Sequence, residues 1–348
     1  MAALTTSEMP TGCEVTADLA RPAAARKLIS VIIPVFNEEN NVRRAYSEVC
    51  RVFNEMGHYD LEILFTDNHS TDRTLEILTE IASTDHRIKV VRFARNFGFQ
   101  NSVLTGYRLV SGAAAFQLDC DLQDPPRMFP DFLRLWESGH DVVVGVRRKR
   151  EESPLIQIGR KAYYRLIQRF SEDNLIPDGG DFRLVDRAVL DQLRRIHEAY
   201  PYTRGLTSSL AKRQIGIPID RDRRQFDKSK FPLRRMFSFA MDGFLAHSVF
   251  PLRLASYVGF VIAILLFLLG LGFTAAKLLV GSRWPSGFAS LAVLVALGTS
   301  LNAIFIGIIG EYVGRIYGQV RHRPNAIVET TINFDLASGA KPPAQPHS

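Results

Sequence analysis

Cysteine is scarce in this chain, and what little there is does not form a site. Three residues, Cys13, Cys50 and Cys120, are an odd number without metal-ligand spacing, so they read as free thiols of a reducing compartment. The eight histidines are scattered, which excludes a zinc-type site built on clustered ligands. Neither a Gly-x-Gly-x-x-Gly fingerprint nor a Walker loop occurs, so nothing points to a dinucleotide cofactor or an ATPase. Residues 1–27 contain no apolar run that could serve as a signal peptide and read as a disordered leader.

The most informative absence is of charge. Val258 to Ala276 and Phe288 to Gly310 each lack any charged residue. Each approaches the roughly 20 apolar residues that a spanning helix needs. The expected layout is therefore two transmembrane helices, about 256–278 and 287–310 within 255–316, joined by a short link. Orientation follows from basic residues: Arg221, Arg223, Arg224, Lys228, Lys230, Arg234, Arg235 and Arg253 precede the pair, and Arg315, Arg321 and Arg323 follow it. The link holds only Lys277 and Arg283, so both ends of the pair are expected on the cytoplasmic side of a cell inner (plasma) membrane. Residues 231–254 set arginines beside bulky apolar residues, which fits helices lying in the headgroup layer. Residues 317–348 read as a cytoplasmic tail, disordered at its end. The net charge of +7 thus sits beside a membrane, and phospholipid or a phosphorylated substrate rather than nucleic acid is the expected partner.

What is present before residue 230 is an alternation of strands and helices. Lys27 to Phe36, Leu61 to Thr66 and Ile88 to Phe93 are short, β-branched runs of buried-strand type. Each exits into a polar loop, Asn37-Glu38-Glu39, Asp67-Asn68-His69-Ser70 or Arg95-Asn96-Phe97-Gly98, and each loop leads into a helical pattern. A fourth strand runs into Asp119-Cys120-Asp121-Leu122-Gln123-Asp124-Pro125-Pro126, and a fifth covers Asp141 to Val146. The repeats predict an α/β domain over 28–230 with a mostly parallel, doubly wound sheet, ligands binding outside the carboxyl ends of its strands. Asp119 and Asp121 suit a hard cation such as Mg²⁺ or Mn²⁺, although a strand end before two prolines also favours aspartate simply as a turn residue.

In order, Val31-Ile32-Ile33-Pro34-Val35-Phe36-Asn37-Glu38-Glu39, Thr66-Asp67 through Thr74, Arg95-Asn96-Phe97-Gly98 and Asp119 through Pro125 resemble the motifs of family 2 inverting glycosyltransferases with the GT-A (Rossmann-like) fold. Gly180-Asp181-Phe182-Arg183-Leu184, Tyr202-Thr203-Arg204-Gly205-Leu206 and Gly310-Glu311-Tyr312-Val313-Gly314-Arg315 are similar to the polyprenyl-phosphate branch, the relatives of dolichol-phosphate mannose synthase and of bacterial undecaprenyl-phosphate glucosyltransferases. The resemblance spans about residues 28 to 328. It departs from the family at Asp67-Asn68-His69-Ser70, where a second carboxylate and a glycine are missing, and at Thr207-Ser208-Ser209, where relatives often carry tryptophan.

The resemblance implies a metal-dependent, inverting transfer of a sugar from a nucleotide diphosphate to a polyprenyl phosphate, making a lipid-linked monosaccharide for glycan or cell-envelope modification. UDP-glucose is the first donor it suggests, with mannose, N-acetylated and amino-arabinose donors open. Pro34, Phe36, Glu38, Asp67, Asn68, Asp119, Cys120 and Asp121 would bind the donor, and Asp121 and Gln123 would hold Mg²⁺ or Mn²⁺. Arg147, Arg204, Arg224 and Lys230 would meet the acceptor phosphate, leaving Asp119, Asp121, Arg147 and Arg204 as the catalytic set. Enzymes that look like this one commonly associate, so a homo-oligomer is expected. Two other classes stay open: a processive polysaccharide synthase, disfavoured by only two spans and by the lack of a Gln-x-x-Arg-Trp motif, and a non-catalytic membrane scaffold, hinted at by Asn68-His69.

Overall fold

A computed structural model describes residues 26–147, 175–220, 287–321 and 323–334, together with part of 257–279. Eight strands form one sheet: β1 (Lys27–Val35), β2 (Tyr59–Asp67), β3 (Ile88–Phe93), β4 (Ala114–Gln117), β5 (Val142–Arg147), β6 (Gly179–Asp186), β7 (Gln214–Ile219) and β8 (Val328–Ile332). Their order is β7-β5-β6-β4-β1-β2-β3-β8. The β1–β2, β2–β3, β1–β4 and β5–β7 pairings are parallel, whereas β6 runs antiparallel between β4 and β5, and β8 antiparallel along β3. The α/β domain with a mostly parallel sheet is thus as expected.

The described helices of this domain are α1 (Val42–Met56), α2 (Thr74–Thr84), α3 (Phe99–Leu109), α4 (Phe129–Glu137), α5 (Arg187–Leu193) and α6 (Thr203–Leu210). Successive strand residues point to opposite faces, and both faces are covered. Ile29, Val31, Ile33, Ile63 and Phe65 pack with Val49, Phe53, Leu78 and Phe132 of α1, α2 and α4. Ile32, Leu64, Val91 and Phe93 pack with Val103, Tyr107, Leu190 and Leu206 of α3, α5 and α6 on the other side. Two-sided burial is why these strands read as unbroken apolar runs. α1 stops at Gly57, whose φ of 66° lets its N–H cap the carbonyl of Phe53.

Two features fix the strands, one below the acidic turn and one toward the opposite end of the sheet. Phe116 of β4 stacks on Phe129 at 4.0 Å, and Phe132 meets Phe182 of β6 at 4.6 Å. Each such pair contributes about 0.5–1.5 kcal/mol beyond its burial, so the strand leading into the acidic turn is held firmly. Toward the start of β2, Glu62 is buried and accepts from Lys89 Nζ at 2.5 Å, from Ser111 N and Oγ at 2.9 and 2.7 Å, and from Ser30 Oγ. Burial pushes the Glu62 carboxyl up, but these hydrogen bonds outweigh it and hold the group below its ordinary value.

After the domain comes a long helix, α7 (Phe288–Val320), of 33 residues. Within it Leu297–Val320 is the one stretch, among the described residues, long and apolar enough to cross a membrane, and none of it is buried. The helix continues ten residues beyond the expected end at 310, because Glu311 and Arg315 form an i,i+4 ion pair at 2.9 Å instead of ending it. Of the other expected span, every described position between Tyr257 and Leu279 is helical, and Gly259 lies against the ring of Phe305 of α7. The expected interfacial helices at 231–254 lie outside the described residues.

The expectation of only a tail after 317 needs correction. Past α7 the chain returns to the sheet and adds β8 to the edge of β3, with Arg92 opposite Thr330 and Phe93 opposite Val328. The foot of α7 is docked as well: Gln319 Oε1 accepts from Ala199 N at 2.8 Å, and Gly318 lies against the ring of Tyr200. Asn325 donates to the Glu198 carbonyl at 2.6 Å and accepts from Arg108 at 3.1 Å.

Candidate active site

The loops after β1, β2 and β3 are stitched together at the carboxyl edge of the sheet. Ser70 Oγ accepts from Asn37 N at 2.9 Å, Thr74 Oγ1 from Glu38 N at 2.9 Å and Asp72 from Glu39 N at 3.2 Å. In return Asn37 Oδ1 accepts from Thr71 N at 2.8 Å and Glu39 from Arg73 N at 3.1 Å. Asn68, 5% exposed, closes the third side by accepting from Phe97 N at 2.8 Å. The amide that departs from the family pattern therefore ties two loops together.

Backbone strain concentrates at the same edge. Asn37, His69 and Leu122 have φ of 56°, 65° and 54°, a left-handed region that residues other than glycine seldom occupy. At His69, where the resemblance would place glycine, this is a conformation that glycine adopts without steric cost.

Of the residues expected at the donor, Pro34 is half-buried in β1 opposite Thr66, Phe36 stands 45% exposed just beyond it, and Glu38 accepts from Asn41 at 2.6 Å. Asp67 has no exposed surface. Its Oδ1 accepts from Ser70 N at 2.9 Å and Ser70 Oγ at 2.6 Å, and its Oδ2 pairs with Arg92 at 2.8 Å. Asp67 therefore shapes the floor of the loops rather than facing solvent.

The acidic turn sits where β4 ends, Leu118 N donating to the Ile32 carbonyl at 3.0 Å. Asp119, Asp121 and Gln123 are partly exposed, and Asp121 Oδ1 accepts from Gln123 N at 3.1 Å. The Cys120 thiol is raised well above its ordinary pKa, first by burial and then by the charges of Glu38, Asp121 and Asp119. Three carboxylates thus act on one buried point, a field that a divalent cation would neutralise. Among the described residues no three acidic, histidine or cysteine groups form a closed cage. An open pair of carboxylates nevertheless fits Mg²⁺ or Mn²⁺, which keep coordination positions for water and phosphate.

The second half of the site comes from β6 and α6. In the β4–β6 ladder Gln117 faces Arg183, at the point where β4 ends and the acidic turn begins, and Asp181 lies two residues before Arg183 on β6. Asp181 grips one edge of the Arg204 guanidinium, with Arg204 Nε at 2.7 Å from Oδ1 and Nη2 bonded to Oδ2. Helix α6 is itself fixed from below by Arg183, 2% exposed, which donates to Thr207 Oγ1 and, at 2.7 Å, to the Gly180 carbonyl. Burial lowers the pKa of Arg183. Gln100 of α3 adds a further tie by accepting from Thr203 N at 2.9 Å.

Arg147 closes β5, its backbone paired with Ile219 next to the edge where Val146 meets Gly179. Arg224 and Lys230 lie outside the described residues. Asp181 and Arg183 belong to the run Gly179-Gly180-Asp181-Phe182-Arg183, a motif that by itself assigns neither residue a role. Arg92 carried no signal.

Residues 30–194 match the model of the family "Glycosyl transferase family 2". The chain is 35% identical over 88% of its length to the uncharacterized glycosyltransferase YkcC of Bacillus subtilis, covering 94% of that protein. It is 32% identical over 86% of its length to the bactoprenol glucosyl transferase of Shigella phage SfV, covering 98% of that protein. A more distant likeness is the glucosyl-3-phosphoglycerate synthase of Mycobacterium tuberculosis, solved with Mn²⁺, UDP-glucose and glycerol 3-phosphate, at 18% identity and a TM-score of 0.44 over 63% of this chain and 78% of that one. With related sequences running through the sheet, the acidic turn and the long apolar helix alike, the chain belongs to glycosyl transferase family 2 and is a glycosyltransferase.

Proposed function

We propose that this glycosyltransferase moves a sugar, glucose from UDP-glucose first among donors, onto a polyprenyl phosphate with inversion at the anomeric carbon. The observation that supports this most is that the carboxylates Glu38, Asp119 and Asp121 all bear on Cys120 just past the end of β4, while the adjacent strand β6 carries Asp181, bonded to Arg204 on an arginine-anchored helix. An acidic half suits a metal-bound diphosphate and a cationic half suits a lipid phosphate. The name of the Shigella phage relative, bactoprenol glucosyl transferase, supports the same acceptor.

A phosphate monoester is already ionised at neutral pH, so it needs orientation rather than a general base. Arg204, its planar fork aimed by Asp181, would orient two phosphate oxygens, with Arg147, Arg224 and Lys230 as further contacts. Phe36 and the clasped loops would receive the nucleoside from above, while Asp67 and Asn68 hold those loops in place. Asp121 and Gln123 would hold Mg²⁺ or Mn²⁺, which when bound would offset the charge of the departing nucleoside diphosphate. The apolar segments at 256–278 and 287–310 would form two spans with both ends cytoplasmic, keeping the cleft at the height of a lipid headgroup. The active form would be a homo-oligomer in the membrane.

The test is a screen of nucleotide sugars against undecaprenyl and dolichyl phosphates, using purified protein in detergent with and without Mn²⁺. Mass spectrometry should find a single sugar on the lipid phosphate, formed only with lipid and metal together. Long saccharide chains, or turnover indifferent to the lipid, would overturn the proposal.

A further inference from the structure

We infer that Glu329, on the strand that follows the membrane helix, is a positioning residue for nucleotide binding, acting through Arg92 on Asp67 and the clasped loops. This rests on the reading of that edge as the donor pocket. Arg92 stands between two carboxylates from distant parts of the chain: its Nη1 is 2.8 Å from Asp67 Oδ2, and its Nε is 2.9 Å from Glu329 Oε2. The two bonds use different parts of one planar guanidinium, so fixing one end fixes the other.

Asp67 needs that help. It is a fully buried carboxylate, and among the described residues Arg92 is the cation within ion-pair distance of it. A buried charge is tolerated only when well paired. Arg92 lies on β3, and the side chains of such a strand would stand at an open sheet edge if β8 were absent. With β8 in place, Arg92 is only 15% exposed. The same Glu329 Oε2 lies 3.4 Å from His69 Nδ1, so one carboxylate reaches both the β3 strand and the strained residue of the β2 loop.

From Asp67 the order passes outward. Asp67 holds Ser70, and Ser70 Oγ receives Asn37 N, next to the exposed Phe36. Glu329 is in place because β8 is: Ala94 N bonds the Ile327 carbonyl at 2.9 Å, and Asn333 donates to the carbonyls of Ala82 and Ile88 at 2.6 and 3.1 Å. The segment after the membrane helix thereby becomes part of the nucleotide site without touching the nucleotide.

The experiment uses the full chain in detergent, with uridine diphosphate and Mn²⁺ as the probe in calorimetry, beside steady-state kinetics. Glu329→Gln keeps an acceptor and removes the charge, whereas Glu329→Lys sets a like charge beside Arg92. Glu329→Gln should weaken uridine diphosphate binding and raise the donor KM on the order of tenfold, and Glu329→Lys should do so further. The KM for lipid phosphate should stay unchanged, as should the melting temperature of Glu329→Gln. Binding equal to wild type in both variants overturns the inference, and so does a loss that merely follows a fall in melting temperature. A wild-type chain that binds no uridine nucleotide overturns the donor-pocket reading itself, and this inference with it.

Discussion

Replacing Arg204 separates a functional arginine from a structural one. Its side chain is 29% exposed and that of Asp181 15%, so the pair lies between a solvated ion pair and a fully buried one. Charge-assisted hydrogen bonds contribute about 1.5–3 kcal/mol each, and with partial exposure about 2–3 kcal/mol in total is expected from two contacts to a phosphate. At 1.4 kcal/mol per factor of ten, Arg204→Gln should lower kcat/KM for undecaprenyl phosphate by about 30- to 150-fold. Arg204→Lys keeps the charge but not the fork, and should lose about 5- to 10-fold. Removing the arginine also strands Asp181, costing about 1–3 kcal/mol of stability, or roughly 3–10 °C in melting temperature for a domain of this size. Initial rates over a range of lipid phosphate at saturating nucleotide sugar read the first effect, and a thermal melt by circular dichroism reads the second. If Arg204→Gln melts earlier yet keeps its acceptor kcat/KM at a temperature where it is folded, the guanidinium is only a strut and the phosphate role fails.

Other outcomes follow from particular contacts. In Asp121→Asn, Mn²⁺ should no longer strengthen uridine diphosphate binding, measured against a chelator; an enhancement equal to wild type would remove Asp121 from the metal site. Because the folded pKa of Glu62 is depressed, its contribution to stability is complete above the unfolded value of about 4.3 and is lost as pH falls through the lower folded value. Melting temperatures from pH 7 to pH 3 should therefore show a shallower acid limb in Glu62→Gln, with a lower plateau at pH 7; parallel curves would refute this. At Gly112 a Cβ would come 2.6 Å from Ser30 Oγ and 2.7 Å from Ser30 N, contacts that must shift. Gly112→Ala should lower the unfolding free energy by about 1–3 kcal/mol, read as a reduced urea midpoint at unchanged slope.

The parts of the fold legible from residues alone are those whose signal is local. β1, β2 and β3 announce themselves because burial on both faces demands unbroken runs such as Ser30-Val31-Ile32-Ile33, and the polar loops after them mark the ligand edge. The β6 insertion was not legible, since Gly179–Asp186 pairs with β4 and β5 by long-range register. Asp181, on that strand, accordingly shows no role in the residues alone; its bond to Arg204 is a long-range contact. β8 was missed although Val328-Glu329-Thr330-Thr331-Ile332 is rich in β-branched residues, because a short, half-exposed edge strand in a polar context resembles a tail. The Arg92–Glu329 contact joins residues 237 apart, beyond any spacing rule. Asn68 read as a lost carboxylate, and only the Phe97 amide 2.8 Å away shows what the amide does instead.

The return of the chain to β3 also constrains biosynthesis. Protein emerges from the ribosome amino end first, so seven of the eight described strands are made before the long apolar helix, and the last strand follows only afterwards. Until then one flank of the sheet is an open template, prone to recruit a stray strand from another nascent chain. Completion of the sheet thus waits until the long apolar helix has been made, and a polypeptide cut short after that helix would keep this flank unsealed.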